Sequence, residues 1–207
     1  MVVAVAEDSS GADRARAWIE QAKASYWCLI DTDHRVSDLY GMVNVPQAVW
    51  IDAQGSIVRP AETAGSTDHF RSMDRATFQY EPSALAARAA ARGRYFDAVR
   101  AWVRNDAHRL DAATVARKQP RISREIATAH ALFRLGLWLR THRRADEADR
   151  HFARASELHP DSWSVWRQAA DLQAAGKAVG PEFWARVDSL GERPYYPPAE
   201  LPGCGTA

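Results

Sequence analysis

The chain has 207 residues, enough for one or two domains, and its 27 basic residues nearly balance its 26 acidic ones, for a formal net charge of +1. A domain that binds nucleic acid normally carries a basic excess on one face, so this balance argues against that class. No apolar run approaches the roughly 20 residues that a membrane-spanning helix needs, and the opening MVVAVA is too short for the apolar part of a signal peptide. The sequence as given predicts a cytoplasmic protein with no nucleic-acid or membrane partner.

The first 60 residues alternate short strands with helices. The run VVAVA (2–6) is continuously apolar and β-branched, which is typical of a strand buried on both faces of a parallel sheet. Asp8, Ser9 and Ser10 offer an N-cap for a helix over 12–24. The next elements are a strand, a short helix and a strand-turn-strand, over residues 26–30, 36–42 and 43–59. The order β-α-β-α-β-β predicts a largely parallel sheet with one antiparallel member.

The composition changes near residue 80, where Ala, Arg and Trp begin to dominate and strand signals end. One helix is predicted from Pro82 and another over 93–102, and Pro120 favours a loop over 105–122. Four more helical segments are predicted, over 127–141, 145–158, 163–175 and from Pro181 onward. The Pro-rich tail is predicted to be extended. The fold class is therefore α/β plus α.

The two cysteines, Cys28 and Cys204, are far apart in the sequence. Two lone thiols make neither a disulfide framework nor a zinc site, which needs about four ligands at short spacings, so we predict no metal and no cofactor. No catalytic residue is assigned, and Cys28 is the nearest candidate for a reactive thiol. Its neighbours Trp27, Leu29 and Ile30 favour instead a structural cysteine in a buried strand.

The segment from Asp31 to Arg59 resembles the late part of a thioredoxin-like redoxin. The pattern Y-G-x-x-x-V-P-x-x-x-x-I-D-x-x-G-x-I-V is matched at Tyr40, Gly41, Val45, Pro46, Ile51, Asp52, Gly55, Ile57 and Val58. The resemblance implies a cis peptide bond before Pro46, although in general only ~5–6% of X–Pro bonds are cis. It also implies that Val45 and Pro46 bind substrate, with the backbone of Val45 pairing with an extended chain.

Residues 129–160 resemble a tetratricopeptide repeat. The matching positions are Leu132, Leu135, Gly136, Leu139, Ala148, Phe152, Ala155, Leu158 and Pro160. Small residues at Gly136 and Ala148 would let two antiparallel helices approach closely, while Phe152 and the leucines fill the seam. The resemblance implies a protein partner that binds these helices.

The resemblances give a domain organisation in chain order. Residues 1–80 form a partial thioredoxin-like domain, residues 81–122 a helical connector, residues 123–192 a tetratricopeptide-like region and residues 193–207 a Pro-rich tail. The whole, including the closing YYPP, is similar to bacterial thioredoxin-like proteins that carry a W-A-x-x-selenocysteine-Gly-Cys motif. A selenocysteine codon read as a stop codon would move the apparent start to a later methionine, here Met1.

The family's Cys or selenocysteine motif lies between its first strand and first helix, and nothing in this sequence matches it. The resemblance therefore implies thiol–disulfide or peroxide redox chemistry of the TlpA-like and alkyl hydroperoxide reductase kind, with the chain as given inactive. The alternative is a non-enzymatic interaction module that uses the tetratricopeptide-like helices, with the redoxin part as a scaffold.

The resemblance also predicts how the strands pair. In a thioredoxin-like sheet the first strand is central, between the strands that correspond here to 2–6 and 47–52. Without that central strand, we expect 2–6 to pair with the strand around Leu29, and 47–52 to pair with 56–59. One unbroken sheet in which both strands are fully paired would contradict the idea of an incomplete redoxin.

Overall fold

The computed structural model describes residues 1–174 and 176–201, so Cys204 lies outside the described residues. The strands are β1 (Val3–Glu7), β2 (Trp27–Asp31), β3 (Gln47–Ile51) and β4 (Ile57–Thr63). The helices are α1 (Ala12–Ala22), α2 (Arg35–Tyr40), α3 (Pro82–Asn105), α4 (Ala112–Lys118), α5 (Arg124–Thr141), α6 (Ala145–Leu158), α7 (Trp163–Gln173) and α8 (Pro181–Asp188). Two short 3-10 helices cover Asp68–Ser72 and Lys177–Val179.

The described strands form two separate two-stranded sheets. β1 and β2 are parallel, with Val3 opposite Trp27 and Glu7 opposite Asp31. β3 and β4 are antiparallel, with Gln47 opposite Thr63 and irregular register near Trp50. Both predicted pairings are therefore confirmed, as is the mixed class of strands and helices. The single, largely parallel sheet predicted from the element order is wrong for the described residues, because the parallel pair and the antiparallel pair form separate sheets.

The helical half differs from the prediction in two places. The two helices predicted from Pro82 and over 93–102 are one continuous helix, α3, because a single glycine inside a helix lowers its stability without breaking it, and Gly93 is such a residue. The loop predicted over 105–122 contains α4. This helix begins where the Asp111 carboxylate accepts a hydrogen bond from the Thr114 N–H at 2.8 Å, which satisfies one of the free donors of its first turn.

The start of α1 also differs from the prediction. Gly11 is its N-cap residue, with φ 94°, and no side chain of the described residues caps it. Asp8 instead accepts a hydrogen bond from the Ser10 N–H at 2.8 Å, in a turn that ends before the helix begins. The predicted cap by Asp8, Ser9 or Ser10 is therefore wrong, because the Asp8 carboxylate bonds to the backbone of its own turn and not to the first turn of α1.

The chain divides into two compact units. The first unit consists of residues 1–43 and 121–183. The second unit consists of residues 44–120 and of the chain from residue 184 onward. Each unit thus combines a segment from before residue 80 with one from after it.

The core of the first unit lies where α5, α6 and α7 pack together. A Cβ atom at Gly136 would lie only 2.5 Å from Cε1 of Phe152, so the two helices cross as closely as the missing side chain permits. The Phe133 ring lies 5.6 Å from that of Phe152. The buried members of this cluster are Ala129, Phe133, Leu139, Ala148, Phe152, Ala155, Val165 and Ala169.

The core of the second unit joins an apolar cluster to a buried ion pair. The cluster comprises Trp50, Val58, Tyr95, Ala98, Ala199 and Leu201. Beside it, the Arg59 guanidinium binds the Glu62 carboxylate through two nitrogens, with the closest contact at 2.8 Å. Burial, followed by the Glu62 charge, raises the pKa of Tyr95, whose hydroxyl accepts a hydrogen bond from the Trp50 indole at 2.9 Å.

The β1–β2 sheet is more exposed than the sequence predicts. Trp27, Leu29 and Ile30 are 66%, 50% and 36% exposed, and Val3 is 45% exposed. The predictions of a fully buried first strand and of a buried strand around Cys28 are therefore wrong for the described residues. A parallel sheet is normally covered on both faces, and two strands alone leave much of their apolar surface in contact with water.

Candidate functional site

Val45 and Pro46 immediately precede β3 in the second unit, and the peptide bond between them is cis, as expected. The Pro46 carbonyl accepts a hydrogen bond from the Ala64 N–H at 3.0 Å, which joins the start of β3 to the chain just after β4. The Val45 side chain is 44% exposed. The residue with the predicted substrate-binding role therefore reaches the surface of the second unit.

Asn44 fixes the backbone of this segment. Its side chain is buried, and its Oδ1 accepts a hydrogen bond from the Val45 N–H at 2.9 Å. Its Nδ2 donates to the Tyr195 carbonyl at 3.1 Å. Because a buried amide that loses these partners costs free energy, Asn44 both holds Val45 and joins it to the segment around Tyr195.

Tyr196 contacts the other backbone group of Val45. Its hydroxyl donates a hydrogen bond to the Val45 carbonyl at 3.2 Å. The Asp68 carboxylate holds the pair of tyrosines in place by accepting hydrogen bonds from the N–H groups of Tyr195 and Tyr196, at 2.8 and 2.7 Å. Both backbone groups of Val45 are thus engaged within the chain, so a substrate strand that pairs here competes with Asn44 and Tyr196.

The aromatic ring of Phe70 supports the same segment. Its centroid lies 4.9 Å from that of Tyr195 and 5.8 Å from that of Tyr196, in edge-on arrangements that favour aromatic pairs. The Trp184 ring lies 5.9 Å from Phe70 on the same cluster. The position of the Tyr196 hydroxyl is therefore set by packing as well as by Asp68.

Cys28 lies on β2, opposite Ala4, and is partly buried. Its Sγ lies 3.7 Å from the carbonyl oxygen of Tyr26, the residue just before β2, which is a weak contact. Cys28 belongs to the first unit and Val45 to the second. The structure therefore describes the two residues as parts of different units.

The residues matched to a tetratricopeptide repeat have different environments. Gly136, Leu139, Ala148, Phe152 and Ala155 are buried at the crossing of α5 and α6, and Leu132 and Leu158 pack against it. Leu135 is 40% exposed and does not fill the seam between α5 and α6 as expected, because Phe133 occupies the side of α5 that faces the seam. Pro160 is exposed in the turn after α6.

Two classes of site are not found in the part of the chain that the structure describes. No group of three or more His, Cys, Asp and Glu side chains there is arranged to hold a metal ion. Across residues 1–174 and 176–201, no helix is both long and apolar enough to span a membrane.

Sequence reasoning identified Val45 but missed the residues that hold it. Tyr196 lies 151 positions from Val45, and Asp68 lies 128 positions from Tyr196, so no local pattern links them. Asn44 is next to Val45, but its hydrogen bond to the Tyr195 carbonyl spans 151 positions. The conspicuous YYPP string was the one available signal. Comparison of the chain with protein-family models, with curated proteins and with solved structures gives no match in any of the three.

Proposed function

We propose that this chain is the larger part of a thioredoxin-like redoxin that works in thiol–disulfide or peroxide chemistry, with its catalytic Cys or selenocysteine segment outside the 207 residues. The observation that supports the proposal is the pairing of the strands. β1 pairs in parallel with β2, β3 pairs in antiparallel fashion with β4, and the two pairs form separate sheets. A redoxin sheet that lacks its central strand would divide in this way.

The exposed apolar surface of the β1–β2 sheet supports the same proposal. Backbone N–H and C=O groups along an open strand need partners, and apolar side chains on a parallel sheet are normally covered. A further strand beside β1 would pair its open backbone groups, and the rest of the missing segment could cover the apolar faces of the sheet. The catalytic motif that follows the first strand in redoxins would then be part of the completed fold.

Substrate binding by Val45 and Pro46 is part of this proposal. The Val45 carbonyl accepts a hydrogen bond from Tyr196, and removing that donor would free the acceptor for an extended substrate. We expect Tyr196→Phe to bind a disulfide-containing polypeptide, such as intact insulin, more tightly than the wild-type chain, with amide shifts at Val45 in NMR spectra. Tyr26→Phe is the matched control, and equal binding by all three proteins would argue against this role.

The redox half of the proposal is tested by activity assays on the 207-residue chain. We expect negligible reduction of insulin disulfides and negligible peroxide turnover, because a reactive thiol needs a helix N-terminus or a nearby cation and Cys28 lies within a strand. Cys28→Ser and Cys204→Ser should therefore match the wild-type chain. Turnover that disappears in Cys28→Ser alone would make Cys28 the catalytic thiol and overturn the proposal of an outside segment.

The second candidate function is a protein-interaction module built on α5 and α6. Leu135 and Trp138 are 40% and 51% exposed and lie three residues apart, on one outward face of α5. An apolar pair on such a face could pack against a partner helix. An in-frame strand and a Cys or selenocysteine motif encoded upstream of Met1 would favour the redoxin, whereas a noncoding upstream region would favour the interaction module.

A further inference from the structure

The carboxyl ends of β1 and β2 bring together three polar side chains that the redoxin proposal does not use. Both strands run in the same direction, so the loops that follow them leave the sheet at the same edge, where open α/β sheets place their sites. Glu7 is the last residue of β1, Ser9 lies in the loop before α1, and His34 precedes α2. All three belong to the first compact unit.

The imidazole of His34 lies between the other two side chains. Its Nε2 is 3.1 Å from the Ser9 Oγ, and its Nδ1 is 3.6 Å from the Glu7 Oε2. The His34 and Glu7 side chains are only 3% and 5% exposed, whereas Ser9 is partly exposed. From the interior outward, the three groups are therefore the buried Glu7 carboxylate, the buried His34 imidazole and the Ser9 hydroxyl, which solvent can reach.

The buried pair is incompletely hydrogen-bonded. Within the described residues, neither carboxylate oxygen of Glu7 nor the Nδ1 of His34 has a hydrogen-bond partner. Leaving such groups unsatisfied is costly, and sites that retain them are often functional. His34 also has a left-handed backbone, with φ 54°, which is uncommon for a residue other than glycine and recurs at functional sites.

The neighbouring residues hold the serine loop in position. The Ser9 N–H donates to the Gln168 Oε1 at 3.1 Å, so α7 fixes the loop backbone. The ring edge of Phe133 meets the His34 imidazole with 5.2 Å between centroids, and this contact excludes water from one side of the ring. α1 begins three residues after Ser9 and has no side-chain cap among the described residues, so the N–H groups of its first turn can face an anion.

We propose that Ser9, His34 and Glu7 form a nucleophile site that hydrolyses small neutral carboxylic esters. A carboxylate that faces Nδ1 favours the tautomer with its proton on Nδ1, so Nε2 can accept the Ser9 hydroxyl proton. Asp8 and Asp13 flank the loop, and their charges disfavour an anionic acyl group. Ser9 and His34 are the catalytic residues, and Glu7 is a positioning residue that acts through His34.

The reaction conserves atoms and charge with water as the second reactant. The Ser9 Oγ forms a bond to the ester carbonyl carbon while its proton passes to Nε2, and the first turn of α1 faces the developing oxyanion. The bond to the alcohol oxygen then breaks, and His34 returns the proton to the leaving alkoxide. Water repeats the sequence on the acyl-serine, which releases a carboxylic acid and restores Ser9.

The test combines hydrolysis of p-nitrophenyl acetate with mass-spectrometric mapping after treatment with diisopropyl fluorophosphate. We expect wild-type turnover above buffer, an adduct on Ser9, and a loss of at least ~100-fold in Ser9→Ala. Ser10→Ala is the matched control because Ser10 is the neighbouring exposed serine, and it should retain the wild-type rate and the adduct. Mapping also separates Ser9 from acylation at Cys28.

The role of Glu7 is tested by separate kcat and KM values for Glu7→Gln and Glu7→Asp. We expect Glu7→Gln to lower kcat and leave KM unchanged, and Glu7→Asp to restore part of kcat, because the carboxylate acts on the imidazole and not on the bound ester; a purely structural role would change KM as well and would give no rescue by Asp. If Ser9→Ala fails to fold by circular dichroism, adduct mapping on the wild-type chain decides the question. An unlabelled Ser9, or wild-type hydrolysis no faster than buffer, would overturn the proposal.

Discussion

At the scale of single residues, the crossing of α5 and α6 depends on Gly136. A Cβ there would lie 2.5 Å from Cε1 and 2.7 Å from Cδ1 of Phe152, whose ring is fully buried and cannot move aside. We expect Gly136→Leu to destabilise the first unit by about 1–3 kcal/mol or more through overpacking. Urea unfolding followed by circular dichroism measures the change. The adjacent exposed Leu135 is the control, and an unchanged midpoint for Gly136→Leu together with a lowered midpoint for Leu135→Ala would contradict the packing described here.

The buried Arg59–Glu62 pair gives a second residue-scale prediction. The Arg59 side chain is 3% exposed and also donates to the His108 carbonyl at 2.9 Å and the Glu200 carbonyl at 3.1 Å. Arg59→Ala should destabilise the second unit by ~3–5 kcal/mol, because it leaves a largely buried carboxylate without its partner.

The matched control for Arg59 is Arg100, which pairs with Asp97 at the same three-residue spacing but is 62% exposed. Arg100→Ala should change the free energy of unfolding by no more than about 0.5 kcal/mol, since exposed pairs contribute little. Thermal melts of both variants measure the difference. Similar losses for the two would show that burial of Arg59 has no energetic consequence.

His159 makes the stability of the first unit depend on pH. Burial, followed by the charge of His130, lowers the pKa of His159, while Asp161 opposes the change. The unfolded chain therefore takes up its proton first, near pH 6.5, and binds more protons than the folded chain below that value. The free energy of unfolding should be constant above about pH 7.5 and fall as the pH drops through 6.5. His159→Gln should flatten this slope, and an unchanged slope in that variant would refute the assignment.

At the scale of elements, the two parts of the first unit should differ in local stability. β1 and β2 form an isolated pair with exposed apolar side chains, whereas α5 and α6 share a buried core. Two-stranded sheets are marginal without a third strand or a covering helix. Hydrogen exchange read by mass spectrometry should show exchange over Val3–Glu7 and Trp27–Asp31 before Arg124–Thr141. Equal protection of strands and helices would mean that the sheet is not an exposed, incomplete element.

The sequence-based prediction was accurate where the signal for an element lies within that element's own residues, and inaccurate where it depends on residues elsewhere in the chain. α6 matches its predicted range of 145–158, because its apolar period and closing turn lie within the segment. α4 was missed because Pro120 alone led to the prediction of a loop over 105–122, and the Asp111 N-cap that begins the helix was not recognised. Exposure of Leu29 was missed because burial depends on neighbours that a strand's own sequence does not specify.

The polar contacts of Val45 and of His34 could not be predicted from local sequence either, because each joins residues that are far apart along the chain. Val45 was identified from a resemblance, but its contact with Tyr196 spans 151 positions. Ser9 was interpreted as a helix cap, whereas its hydroxyl contacts the His34 imidazole 25 positions away. Only the parallel pairing of β1 with β2 brings those two loops to one edge.

At the scale of the whole molecule, two compact units are each assembled from distant segments. Each contains one two-stranded sheet and its own core, formed around Phe152 in one unit and Trp50 in the other. We propose that these sheets are parts of a redoxin fold that another strand completes. The proposed ester-hydrolysing site lies within the first unit alone. Its test is therefore independent of the redoxin proposal.

The most direct test of the redoxin claim is the intact mass of the protein isolated from its native source, with sequencing of its N-terminal peptides. The 207-residue chain has a mass of 23.1 kDa. We predict a larger mass, from an N-terminal extension that contains a strand followed by a Cys or selenocysteine motif. A native protein of 23.1 kDa that begins at Met1 would contradict the redoxin proposal.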